Sequence, residues 1–413
     1  MSIAVTQLPA YATPSDNPII FQFKQTLSGK YNISFVIGVY VSNSYVGTYE
    51  VYPEYTDATY AYGKYDVSNI VSPYISTQLI KTYSSSLTVF ANGGSADVYI
   101  NVVEKYSTTP SGTITTGATA TSGTIGVFKA KLSRDEFLNW DYTQYKKGLT
   151  NKFLTDREYT YYSAVSCNLY TQTLKKEDST SFSWIDNTPI DTPATYVVIY
   201  YYYNGTTLLT TATQALTAVN QSLIGCVYFN LDQHVSLGYL TSGQATSCTS
   251  VWMLINDPVY DELIAPINII RFDDTCFYNG ATLRFMNKYG AYDNYLFTYN
   301  KRYSASVKSF EFERSQGSWS NGVYSLSKAN TGRLSYLKQT TKKLQLISDW
   351  LDETTQNWLT QLYDSPAVYI NEGEENESII ITNSSYQIKQ DKHDELFNEI
   401  VEIEFTPENS IRL

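Results

Sequence analysis

The side chains that could do chemistry in this 413-residue chain are few and scattered. His234 and His393 are the two histidines, and neither stands at the HExxH spacing that puts two imidazoles on one helix face for zinc. A Ser-His-Asp triad assembles in space, not in sequence, but no GxSxG elbow offers its nucleophile. Neither GxxxxGK[ST] nor GxGxxG occurs, so phosphate lacks its usual backbone cradle. Cys167, Cys226, Cys248 and Cys276 stand singly, without a CxxC pair that would hold zinc or run dithiol chemistry. Both histidines therefore read as structural residues. The chain reads as a non-enzyme with no catalytic residue, metal or cofactor.

Two weaker candidates remain. Glycosidases need only two carboxylates, and Asp273-Asp274 is the sharpest pair. Neighbours on a strand point to opposite faces, so they cannot flank one glycosidic bond; in a turn they would bond the backbone instead. The run Tyr200-Tyr201-Tyr202-Tyr203 could stack on sugars or bases, yet on a strand alternate tyrosines face opposite sides. Packing within a sheet and at an interface is the expected role.

The elements that must position these residues read mostly as strands. Charged residues make up 17% of the chain, and polarity comes instead from Ser, Thr, Asn and 39 Tyr, which suit pleated surfaces and polar interfaces. IIFQFKQTL, YNISFVIGVYVS and SLTVF are strand-like, and Asn92-Gly93-Gly94 signals a hairpin turn. Residues 107–126 are rich in Gly, Ser and Thr and almost uncharged, and read as a linker or long loop. A capping box, Ser133 to Glu136, opens a helix expected to carry Phe137 and Trp140 on one face and to stop at Gly148. Asn204-Gly205, Asn279-Gly280 and Asn321-Gly322 mark further turns. A second helix is capped by Asp352, with Thr355, Trp358, Leu359 and Leu362 on one side and Pro366 beyond its end.

The segment LRFMNKYGAYDNYLFTY, 283–299, has period two on both flanks of a polar knot, so it reads as strand, turn, strand. In that turn Asn287, Tyr289, Gly290 and Asp293 are structural: Gly290 supplies backbone freedom, and Asn287 or Asp293 can bond the turn backbone.

Charge adds a second site. Residues 301–343 carry nine Lys/Arg against Glu311 and Glu313, whereas residues 344–413 carry fifteen Asp/Glu against three Lys/Arg. A bipolar C-terminal domain suits heterologous side-by-side packing of copies. The candidate interface sets Lys301, Arg302, Lys308, Arg333, Lys342 and Lys343 against Glu372, Glu374, Glu375 and Glu377. The equal alternative is two solvated faces of one domain, or strands paired within it. A net charge of −11 argues against duplex-DNA binding. No signal peptide and no membrane-length apolar run is seen, so a soluble, cytosol-made protein with no membrane partner is expected.

Four segments, PAYATPSDNPIIFQF (9–23), NKFLTDREYTYY (151–162), LRFMNKYGAYDNYLFTY (283–299) and WLDETTQNWLTQLYDSPAVYI (350–370), together resemble virion structural proteins of crAss-like and related phages of gut Bacteroidetes. The resemblance implies a tail or neck component: a homo-oligomeric ring below the portal, touching other ring, portal or hub proteins, in the virion. A receptor- or glycan-binding tail-fibre protein is the alternative. The fold class expected is mainly β with an α+β C-terminal domain. Its parts are a β-sandwich-like domain at 1–108, a linker or long loop at 109–126, a second mostly β domain with an initial helix at 127–280, and an α+β domain at 281–413 with a helix at 353–363.

Overall fold

A computed structural model describes residues 3–76, 94–146, 148–186, 195–217, 223–257, 262–263, 265–273, 280–326, 328, 332–372, 375–382 and 398–409. The chain is mainly β, with several sheets in sandwich-like layers and an α+β C-terminal part. It divides into two compact units: residues 1–273 with 285–294, and residues 274–284 with 295–413.

In the first unit, alternation of apolar and polar residues builds two layers. One sheet runs Ile3–Gln7, Ile20–Thr26, Tyr60–Asp66, Tyr55–Thr56; the other runs Ala12–Pro14, Ile125–Phe128, Ser95–Ser107, Tyr31–Val41, Ser44–Val51. Phe21, Phe23, Phe35, Ile37, Val39, Val98, Ile100 and Val102 fill the space between them. A further sheet follows, ordered Tyr159–Tyr162, Cys167–Leu174, Ile267–Phe272, Ser250–Asp257, Thr195–Asn204, Thr207–Thr217. It shares a core with the fully buried pair Ser179–Ile185 and Ile224–Asn230. The strand Thr195–Asn204 turns at Gly205, φ +57°, into Thr207–Thr217.

Three expectations are corrected here. The stretch read as a linker at 109–126 contains the strand Thr115–Thr121, paired antiparallel with Ser95–Ser107. Thr-rich sequence with little to bury suits an exposed edge strand, because the backbone ladder holds it with little more than Ala120 packed against the core. No boundary falls at 126 either. Ile125–Phe128 pairs with both Ser95–Ser107 and Ala12–Pro14, and Phe128 packs with Leu154, Ile185 and Ile224. The helix opened at Ser133 ends at Leu138 instead of running towards Gly148. Trp140 leaves it to donate from Nε1 to the Ala12 carbonyl, 2.7 Å, and to stack on Tyr145. The strand SLTVF, Asn92 and Gly93 of the expected turn, Asn279, Asp274 and His393 lie outside the described residues.

The second unit holds most of one sheet, ordered Tyr292–Phe297, Ala281–Met286, Val368–Glu372, Glu375–Ile381, Ile400–Glu404, Arg333–Ile347, Asn300–Glu313. The helix Glu353–Leu359 is capped by Asp352, whose carboxylate accepts the Thr355 amide proton at 2.8 Å. A further turn, Gln361–Asp364, follows, and Trp358, Leu359 and Leu362 are buried. The residues of the hairpin 281–297 divide between the units: its tip, 285–294, belongs to the first and its outer parts to the second.

Candidate functional site: a buried turn and an exposed basic hairpin

The tip of the 281–297 hairpin is fixed from its own sequence outward. The Gly290 amide donates to the Asn287 carbonyl at 2.9 Å, and the Asn287 amide to the Ala291 carbonyl at 2.8 Å. Asn at the first turn position and Gly at the fourth, φ +76°, match a tight hairpin loop that ends in a left-handed residue. The Asn287 side-chain oxygen accepts from the amides of Tyr289 (3.0 Å) and Ala291 (3.2 Å), as an Asx turn does.

Longer-range bonds then hold the turn inside the first unit. Asn287 Nδ2 donates to the Leu154 carbonyl at 2.8 Å and to Asp293 Oδ2 at 2.9 Å. Asp293 also accepts from Thr155 Oγ1 at 2.8 Å and from Arg157 Nη2 at 3.3 Å. The Lys131 amide donates to the Lys288 carbonyl at 2.8 Å. Tyr145 donates to the Tyr289 hydroxyl at 2.9 Å, and Tyr289 to Asp156 at 2.8 Å; burial, then the Asp156 charge, pushes the Tyr289 hydroxyl's pKa up. Lys288 forms ion pairs with Asp156 and Glu136. Burial alone would lower its pKa, but those two carboxylates more than offset burial and raise it.

The sequence expectation that Asn287 or Asp293 bonds the turn backbone is thus met by Asn287, while Asp293 turns to Arg157 and Thr155. Asn287, Tyr289 and Asp293 are buried, because the turn is enclosed by 129–131, 145 and 154–157. The cavity beside the Arg157–Asp293 pair, lined also by Ser181 and Asn268, has a volume of about 10 Å³, room for about one water. Sequence reasoning missed Thr155, Asp156 and Arg157 as partners of the turn, since nothing local links them to residues over 130 positions away.

Other residues with chemical potential are also used structurally. Glu104 is buried and pairs with Lys30 at 2.7 Å, also accepting the Ala118 amide proton at 2.9 Å. Tyr200 and Tyr202 are fully buried while Tyr201 and Tyr203 are half-buried, as strand alternation requires. His234 lies in the helix Leu231–Ser236, its Nδ1 hydrogen-bonded to the Tyr202 hydroxyl and its ring edge-on to Tyr200 at 4.5 Å. Burial drives its pKa from 6.5 down to about 3. The folded state therefore keeps His234 neutral while the unfolded chain protonates it below its ordinary pKa. Its contribution is complete above about pH 6.5 and is lost as pH falls toward 3, at about 1.4 kcal/mol per pH unit. His234→Gln should flatten the stability profile between those limits by about one proton, read by urea denaturation across pH. Equal slopes in both proteins would contradict this assignment.

Among the described residues no group of three or more His, Cys, Asp or Glu is arranged to hold a metal ion. No helix among them is long and apolar enough to cross a membrane.

The second candidate site is the long hairpin of the second unit. Lys301, Arg302 and Lys308 lie on Asn300–Glu313, and Arg333, Lys342 and Lys343 on Arg333–Ile347. Part of the charge complementarity is met inside this one unit. Lys343 stands opposite Glu404 in register and forms an ion pair with it, and Arg333 pairs with Glu311. Glu372 stands opposite Glu375 in register, Glu377 is exposed one strand beyond Ile400–Glu404, and Glu374 lies outside the described residues. Within the sheet, Ile400–Glu404 separates the basic strands from Glu375–Ile381. The hairpin's far end, Ser318–Ser320 and Val323–Ser325, turns at Asn321-Gly322 and exposes Trp319, Val323, Tyr324 and Leu326.

No protein-family model and no curated protein matches the sequence. Among solved structures, CBD12 from CALX1.2 and the calcium-binding domain CBD12 of CALX1.1 each align over 64% of this chain and 96% of their own, at 8% identity and TM-score 0.18. The N-terminal four Ig domains of Dscam1 isoform 4.44 align over 82% of this chain and 95% of their own, at 7% identity and TM-score 0.16. Superpositions this poor carry neither architecture nor function across.

Proposed function

We propose that the chain is a structural subunit of a bacteriophage tail, forming a homo-oligomeric ring in the tail barrel or neck below the portal. One observation supports the reading most. Three segments that carry the resemblance to virion proteins, at 9–23, 151–162 and 283–299, contribute Ala12, Leu154 and Tyr289 to one buried cluster. Their polar side chains are spent on fixing backbone: Asn17 bonds both the amide and the carbonyl of Leu132, Asn287 bonds Leu154, and Asp293 holds Thr155 and Arg157. A protein that works by shape needs such cross-bracing and no reactive group. The exposed basic hairpin, with Lys301, Arg302, Lys308 and Lys342 on its two strands, supplies a lateral surface for heterologous contact with an acidic neighbour.

Mass spectrometry of purified particles tests this proposal. The chain should be a stoichiometric virion component that survives density-gradient purification. A chain found in the lysate and missing from purified particles would contradict it.

A further inference from the structure

The strand Asn300–Glu313 is the terminal strand of its sheet, and among the described residues its ladder partner is Arg333–Ile347. Twelve of its fourteen residues are exposed. Its outer edge presents backbone N–H and C=O groups along about 46 Å. Proteins commonly blunt such edges with proline, a bulge or a covering loop. This strand has no proline, and the ladder's one register shift falls on the inner strand, where Tyr336 is the extra residue.

The strand is also self-complementary in charge. Lys301 and Arg302 lie at its start, and Glu311 and Glu313 at its end. We propose that this edge pairs with the same edge of a second copy of the chain, antiparallel across a two-fold axis. Successive residues point their amides to opposite edges, so a symmetric ladder must be centred on a residue and not between two. Centred on Val307, it pairs residues 301–313 in full. Lys301 then faces Glu313 of the other copy, Tyr303 faces Glu311, and Arg302 lies against Phe312. Centring on Lys308 would oppose Arg302 to Arg314, and centring on Ser306 would leave Glu313 beyond the strand's start. This contact is isologous, whereas ring closure is heterologous. It goes beyond the tail reading, and because it engages Lys301 and Arg302, which the ring contact would also use, dimerisation in solution and the ring in the virion are read by separate experiments.

Sedimentation velocity on the purified full chain tests the pairing. Wild type should show a monomer–dimer equilibrium. Lys301→Glu and Glu313→Lys should each raise the dimer Kd by about tenfold, since the axis doubles every unfavourable pair. The combined variant should recover the wild-type Kd. The register is read by cysteine cross-linking: Val307→Cys sits on the axis and meets its own copy, so it should form an intermolecular disulfide faster than Tyr303→Cys. A chain monomeric throughout the concentration series, a double reversal that does not recover, or equal cross-linking at 303 and 307 overturns the proposal.

Discussion

Gly290→Ala should be among the most damaging single substitutions in the chain. A Cβ at this position would lie 1.5 Å from the Lys129 carbonyl oxygen, at a φ of +76°. No rotamer relieves that overlap, because the atom met is backbone. The turn would have to withdraw from 129–131, losing the bond from the Lys131 amide to the Lys288 carbonyl. The expected cost to the first unit is about 4 kcal/mol or more. Gly205→Ala supplies the control. That glycine has φ +57° with nothing within 4 Å of its added Cβ, so only the left-handed conformation is penalised, about 1 kcal/mol. Urea denaturation followed by tryptophan fluorescence should separate the two variants clearly. Equal losses would mean that the turn is not enclosed as described.

Asp293→Ala should cost nearly as much, for an electrostatic reason. The Asp293 and Arg157 side chains are 4% and 9% exposed. Truncating the carboxylate removes a counter-charge from a buried guanidinium and takes an acceptor from Thr155 and Asn287. Breaking a buried pair from one side costs about 3–5 kcal/mol. Replacing both partners is gentler, because no uncompensated charge remains. Asp293→Ala combined with Arg157→Met should therefore be more stable than Asp293→Ala alone. If the double variant were less stable than the single, the pair would not be the main support of the turn.

What could be read from the sequence was what local chemistry determines. Period-two flanks and Asn287 to Gly290 define a hairpin locally, as does Asn204-Gly205, and Asp352 defines a helix N-cap. What could not be read was where those elements go. Asp293 is six residues from Asn287 but finds Thr155 across 138 positions, and no local pattern encodes that pairing. The helix at Ser133 stops well short of Gly148 for a similar reason: a distant carbonyl, at Ala12, captures Trp140. The strand at 115–121 carries little apolar alternation to mark it, whereas an edge strand needs only a backbone partner. Charge blocks at 301–343 and 344–413 were visible, but strand order decides whether they meet within a chain or between chains. Lys343 beside Glu404 shows the first arrangement for one pair.

The claim that this chain is a ring subunit of a phage tail is tested most directly by the rotational symmetry of the chain in intact particles. Cryo-electron microscopy of virions should show it as a closed ring coaxial with the portal, each copy's 300–347 hairpin against a neighbour. A peripheral trimer projecting from the particle would contradict the account and favour a fibre that binds receptor or glycan.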